Sequence, residues 1–140
     1  MKRILVAVDG SDASQKATRM AADIALRFGS KVTVAYVIPR LLLPPDAYGL
    51  TLAEMEREQR AYAEKLVAEA AAKLGEPGLD LETRVLSGSP PECLAEVAEA
   101  PDVDLVVIGS RGRGAVARAL LGSVSGRLVH ICPKPVLVVH

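Results

Sequence analysis

Aromatic side chains are scarce in this chain: three tyrosines, one phenylalanine and no tryptophan among 140 residues. Half the residues are hydrophobic, so a core has to be built from alanine, valine, leucine and isoleucine. An excess charge of either sign is also missing, because 17 basic residues balance 17 acidic ones. That balance argues against a general nucleic-acid or membrane-surface binder. Any positive potential must be local, and Arg111, Arg113, Arg118 and Arg127 are the evident place for it. The two cysteines, Cys93 and Cys132, have no CxxC spacing and read as buried small hydrophobes rather than a disulfide or a metal site. No stretch approaches the ~18 apolar residues of a membrane span. Met1-Lys2-Arg3 is followed by only five apolar residues before Asp9, too few for a signal peptide, so a cytoplasmic location is expected. Asparagine is absent, which suits a thermophile and a GC-rich genome equally.

What is present is a regular alternation of short apolar runs and helical patterns. At 140 residues the chain is read as one domain, 1–140, large enough to bury a core without staples. Strands are expected at Ile4 to Val8, Lys31 to Ile38, Leu79 to Val85, Leu105 to Ile108 (closed by Gly109) and Pro135 to Val139. The third alternates Leu79, Leu81, Thr83 and Val85 with Asp80, Glu82 and Arg84, the pattern of an edge strand with one wet face. Capping boxes at Asp12/Gln15 and Thr51/Glu54, and Ser89-Pro90-Pro91-Glu92, mark three helix starts. Ala17, Ala21, Ile24, Ala25 and Phe28 form the apolar stripe of the first helix. Leu52, Met55, Tyr62, Leu66 and Ala70 form that of the second. A fourth helix is expected from Ser123 to Ile131. Strands alternating with helices imply a parallel sheet covered on both faces, an α/β fold. The leucine- and proline-rich segment 40–50 is read as a loop that covers a partner, a ligand or the next helix.

In such a sheet, ligands bind beyond the carboxyl ends of the strands, where the strand order reverses. The fourth strand ends in Gly109-Ser110-Arg111-Gly112-Arg113-Gly114, and Gly122-Ser123 opens the last helix. Strand, glycine-rich loop and helix N-terminus form an anion-binding arrangement, since free N–H groups and the helix dipole both face the ligand. The loop matches neither the GxxxxGK(S/T) of a P-loop nor the GxGxxG of a dinucleotide fold. A carboxylate repels phosphate, so Asp9, at the end of the first strand, is better suited to ribose hydroxyls or to organising its own turn.

The full spacing is Gly109-x2-Gly112-x9-Gly122-Ser123. Together with ILVAVDGS, VAYVIP, DLVVIGSRGRG, LLGSVSGRLVH and CPKPVLVV, it resembles the universal stress protein family, in the branch that keeps the ATP-binding signature. The resemblance implies a Rossmann-like, adenine nucleotide alpha hydrolase-like fold: a five-stranded parallel open sheet of order 3-2-1-4-5 with helices on both faces. It implies that Asp9 takes the ribose, and that the Val37 backbone holds adenine between Ala7 and Ile108. Gly109, Gly112 and Arg113 would approach ribose and phosphates, and Gly122, Ser123, Val124 and Ser125 would cradle the phosphates. It further implies ATP carrying Mg2+ or Mn2+ on its phosphates, and a homodimer through the strand Pro135 to Val139. Arg111 is expected to face solvent.

The sequence offers no nucleophile–base pair and no metal-ligand cluster. Nothing is placed to orient an attacking water, so catalysis would rest on positioning alone. The leading expectation is a nucleotide-dependent regulatory protein of the stress response, with no nucleic-acid or membrane partner and a protein partner not readable here. A slow ATPase or nucleotidyl-transferring enzyme, or a structural dimer without nucleotide, are the alternatives.

Overall fold

The computed structural model describes residues 1–40, 49, 51–111 and 121–140. Nine elements follow one another: β1 (Arg3–Ala7), α1 (Asp12–Phe28), β2 (Lys31–Pro39), α2 (Leu52–Ala72), β3 (Asp80–Gly88), α3 (Pro90–Ala98), β4 (Val103–Gly109), α4 (Ser123–Ile131) and β5 (Val136–Val139). The strands form one parallel sheet in the order β3-β2-β1-β4-β5. Fold class and strand order agree with expectation, and β3 is an edge strand. Most of segment 40–50, and the stretch carrying Gly112, Arg113 and Arg118, lie outside the described residues.

Strand alternation divides the apolar residues between the two faces. Ile4, Val6, Val32, Val34 and Val107 pack under α1 and α2, against Ala17, Ala21, Ala25 and Val67. Leu5, Ala7, Ala35, Val37, Val106 and Ile108 face α3 and α4, against Leu94, Ala98 and Leu128. The largest fully buried side chains are isoleucine, leucine and valine, as the lack of aromatics requires. Alanines along α1 let the helix backbone lie close to the sheet.

Helix starts differ in detail from expectation. At α1 the cap is Ser11, whose side chain accepts the Ser14 N–H; Asp12 is already helical. The Thr51/Glu54 box of α2 is complete, with bonds of 2.7 and 3.2 Å. At α3 the Ser89 hydroxyl donates to the Glu92 carboxylate and makes no bond to the helix backbone. Three stripe residues are exposed: Phe28, Leu52 and Tyr62. Phe28 is the last residue of α1, where Gly29 in the left-handed conformation already turns the chain. Leu52 precedes Met55, the first residue of α2 to be buried. Tyr62 sits on the flank of α2 and meets Tyr36 edge-to-face, with ring centroids 6.1 Å apart. Both cysteines are free and half-buried at the α3/α4 face, so they are less enclosed than expected. No helix among the described residues is long and apolar enough to cross a membrane.

Candidate functional site

β1 lies between β2 and β4, so the strand order reverses beside it. Ala7 pairs with Ala35 on one side and Ile108 on the other. These three small or flat apolar residues, with Val37, make the floor of a cavity of about 200 Å³ at the carboxyl ends of the strands. Pro90 and Leu94 of α3 form the opposite apolar wall, and Pro39 closes the end of β2. Beyond the apolar part the lining becomes polar, with Asp9, Ser14, Gly109, Arg111 and the segment Gly122 to Ser125. Among the described residues Asp9 and Arg111 are its only charged side chains.

The polar end is built around the N-terminus of α4. Gly122, the N-cap, has no side chain to cap the helix, and no acidic residue stands in the first turn. The first bond within this helix runs from the Gly126 N–H to the Gly122 carbonyl at 2.9 Å. The N–H groups of Ser123, Val124 and Ser125 therefore have no carbonyl in their own helix and, with the helix dipole, favour an anion at the pocket wall. The loop that delivers them is stapled from below. The carbonyl of Ser110 accepts the Gly122 N–H at 2.6 Å and the Ser125 hydroxyl at 2.9 Å. Ser110 itself donates its N–H to the Val139 carbonyl of β5 at 2.7 Å.

Asp9 is half-buried at the pocket edge, and its Oδ1 accepts the Ser11 N–H at 2.9 Å. The carboxylate thus does organise its turn, and the second oxygen adds the capacity to accept from a ligand hydroxyl. Gly109 is a glycine for a reason within the fold. A Cβ there would lie 2.7 Å from the Ala13 carbonyl carbon and 2.8 Å from the Ser14 nitrogen, so β4 ends directly against the first turn of α1.

The pocket gathers Ala7, Asp9, Val37, Ile108, Gly109, Gly122, Ser123, Val124 and Ser125, all singled out from the sequence. Gly112 and Arg113 lie outside the described residues. Arg111 corrects an expectation: it lines the cavity and is half-buried instead of facing solvent. β4 pairs with β1, so the residues that follow its end come up beside the cavity that β1 borders. Arg127 serves elsewhere, with its Nε 3.2 Å from Glu92 Oε1 on α3. Pro90, Leu94 and Ser14 were missed by sequence reasoning. Ser14 and Pro90 lie in first helical turns and Leu94 one turn into α3, so what brings them to the pocket is topology, which the local patterns do not carry. No group of three or more His, Cys, Asp or Glu residues among the described ones is placed to hold a metal ion.

The family model for the universal stress protein family matches residues 1–140. The chain belongs to the universal stress protein family. A universal stress protein of Thermus aquaticus is 37% identical over 140 residues, covering 99% of this chain and 98% of that one. The solved universal stress protein UspA from Lactobacillus plantarum superposes with a TM-score of 0.87 at 28% identity, covering 99% and 97% of the two chains. A universal stress protein solved in complex with cAMP has a TM-score of 0.66 at 27% identity, covering 99% of this chain and 97% of that one. In this universal stress protein, the family's fold and the cavity at the strand-order reversal therefore occur together.

Proposed function

We propose that this universal stress protein binds ATP at the β1/β4 reversal and works as a homodimeric, nucleotide-dependent regulatory protein. One observation carries the reading: an apolar slot, a single carboxylate and an uncapped helix N-terminus meet in one cavity. Those are the three surfaces that an adenine, a ribose and a phosphate chain require. The cavity of about 200 Å³ is smaller than the roughly 300–1,000 Å³ of most ligand sites. It suits base and sugar inside, with phosphates at the mouth beside α4. The related structure with cAMP supports an adenine nucleotide as the ligand class.

In this reading Ala7, Val37 and Ile108 enclose the base and Asp9 accepts from the ribose. Gly109 and Arg111, with Gly112 and Arg113 beyond the described residues, border ribose and phosphates. Ser123, Val124 and Ser125 present N–H groups to the phosphates, and Gly122, whose own N–H is held by the Ser110 carbonyl, lets them approach without a side chain. Mg2+ or Mn2+ would be carried by the phosphates rather than by a protein cage. Two free thiols fit a reducing, cytoplasmic setting. The dimer would form through β5 and Pro135, a short apolar strand that among the described residues is the sheet edge beyond β4.

Identification by mass of the nucleotide released on denaturing the purified protein, followed by titration of ATP into stripped protein, tests the reading. ATP is expected to bind and to persist unhydrolysed. No binding at millimolar ATP removes the proposal, and steady release of ADP abolished by Gly122→Val would make the protein an ATPase instead. Light scattering at micromolar concentration is expected to give the mass of two chains.

A further inference from the structure

Ser11 stays outside the pocket wall, yet it is bonded to both residues that supply the pocket's charged side chains. Its backbone N–H holds Asp9 Oδ1 at 2.9 Å. Its hydroxyl donates to the carbonyl of Arg111 at 3.3 Å, across 100 residues of sequence. The same oxygen accepts the Ser14 N–H at 3.2 Å and caps α1. Ser14 closes the circle, donating its hydroxyl to the Ser11 carbonyl at 2.9 Å and accepting the Asp9 N–H at 3.4 Å.

The turn that carries Asp9 needs such a tie. Gly10 follows Asp9 with φ +85°, a conformation that glycine enters and leaves at little cost. Without an anchor at residue 11, the carboxylate would share that freedom. The two hydroxyl bonds of Ser11 supply the anchor, one to the start of α1 and one to the exit of β4. At 3.3 Å the bond to Arg111 is long and correspondingly weak. Its loss should therefore shift the alignment of a turn and leave the fold intact.

We infer that Ser11 is a positioning residue: it fixes the Asp9 carboxylate relative to the end of β4 and so sets how strongly the pocket selects a ligand bearing ribose hydroxyls. The inference rests on the reading of Asp9 as the ribose-binding group. It makes hydroxyl selectivity a property of the contact between two loops, separate from adenine binding and from the phosphate site.

The test compares adenosine with 2′,3′-dideoxyadenosine, two uncharged ligands with the same base that differ in the ribose hydroxyls. Affinities are measured by calorimetry or competition, and urea unfolding of the nucleotide-free protein reports stability. The wild type is expected to prefer adenosine tenfold or more, and Asp9→Ala to bring the ratio close to one. Ser11→Ala should reduce the ratio at least threefold, with dideoxyadenosine affinity within twofold of wild type, and Ser11→Thr should restore it. Because Ser11→Ala also removes a helix cap, Ser11→Asp separates the two roles. Its carboxylate can accept the Ser14 N–H but has no proton for the Arg111 carbonyl. It should keep the unfolding midpoint and lose the preference. A wild-type ratio in Ser11→Asp would reduce Ser11 to a helix cap and overturn the inference. A wild-type ratio in Asp9→Ala, or none in the wild type, would overturn the ribose role of Asp9 and this inference with it. Persistent dideoxyadenosine binding would then show that the adenine site itself stands.

Discussion

The Ser125 hydroxyl donates to the Ser110 carbonyl at 2.9 Å, and both residues are buried, at 2% and 1% exposure. A serine hydroxyl has one proton to give, and here it closes the two ends of the loop between β4 and α4. What Ser125 offers an anion is its backbone N–H. Ser125→Ala is accordingly expected to cost about 0.5–1.5 kcal/mol of stability in urea unfolding of the nucleotide-free protein, the usual net worth of one hydrogen bond, since the Ser110 carbonyl keeps the Gly122 N–H. A large loss of ATP affinity with unchanged stability would show instead that the hydroxyl serves the ligand.

The close approach of Gly109 to Ala13 sets a second prediction. Backbone atoms cannot rotate away from a Cβ placed at 2.7–2.9 Å, so Gly109→Ala should force β4 and α1 apart at a cost on the order of 1–3 kcal/mol. Gly126→Ala is the matched control. Among the described residues its Cβ would meet only Leu121 Cβ at 3.8 Å, and within α4 alanine should stabilise by roughly 0.5–1 kcal/mol. Thermal melts of the two variants should shift in opposite directions.

These two serine and glycine positions show how far the sequence could be read. The strands were legible because buried strands leave apolar runs, and their order and much of the pocket lining came with the family resemblance that the glycine–serine spacing carries. The reasons behind individual residues were not. Gly109 looked like a site for close ligand approach, but its constraint comes from Ala13, nearly a hundred positions away in the chain. Ser11 and Asp12 both carry good capping side chains, and only the backbone geometry at Ser11, φ −73° and ψ 161°, selects between them. Arg111 read as a solvent residue because local sequence carries no information about what β1 places opposite the end of β4.

The bare N-terminus of α4 invites a substitution with opposite effects on fold and binding. Gly122 has φ −73° and ψ 170°, extended backbone that any residue adopts, so Gly122→Asp needs no strained conformation. Its carboxylate would cap the N–H groups that have no carbonyl in their own helix and complement the helix dipole, a gain of about 0.5 kcal/mol in the nucleotide-free protein. It would also occupy the anion site with a like charge, and ATP affinity should fall tenfold or more. A melting temperature that rises while calorimetric ATP binding disappears is the expected pair of results.

At the opposite end of the sheet, Glu82 ties three strands together. Its carboxylate meets Lys31 Nζ at 2.7 Å, Arg3 Nη1 at 2.9 Å and the Thr33 hydroxyl at 2.8 Å. This half-buried cluster replaces the simple wet face that alternation along β3 suggested. The hydrogen bond from Lys31, helped by Thr33 and Arg3, holds the Glu82 carboxyl below the usual glutamate range, and the same bond to Glu82 raises Lys31. A lowered carboxyl contributes stability above the ordinary glutamate pKa of about 4.3, and that contribution is lost as pH falls through the folded value. The raised lysine contributes below its ordinary value of about 10.4 and loses its share as pH climbs through the folded one. Between those limits the cluster should be insensitive to pH. Glu82→Gln is therefore expected to lower the melting temperature at pH 7, with the gap to wild type narrowing toward pH 3. Nucleotide affinity should not change, because the pocket lies at the other ends of the same strands. A gap that stays constant into the acid range would mean that the stabilisation comes from packing of the side chain and not from its charge.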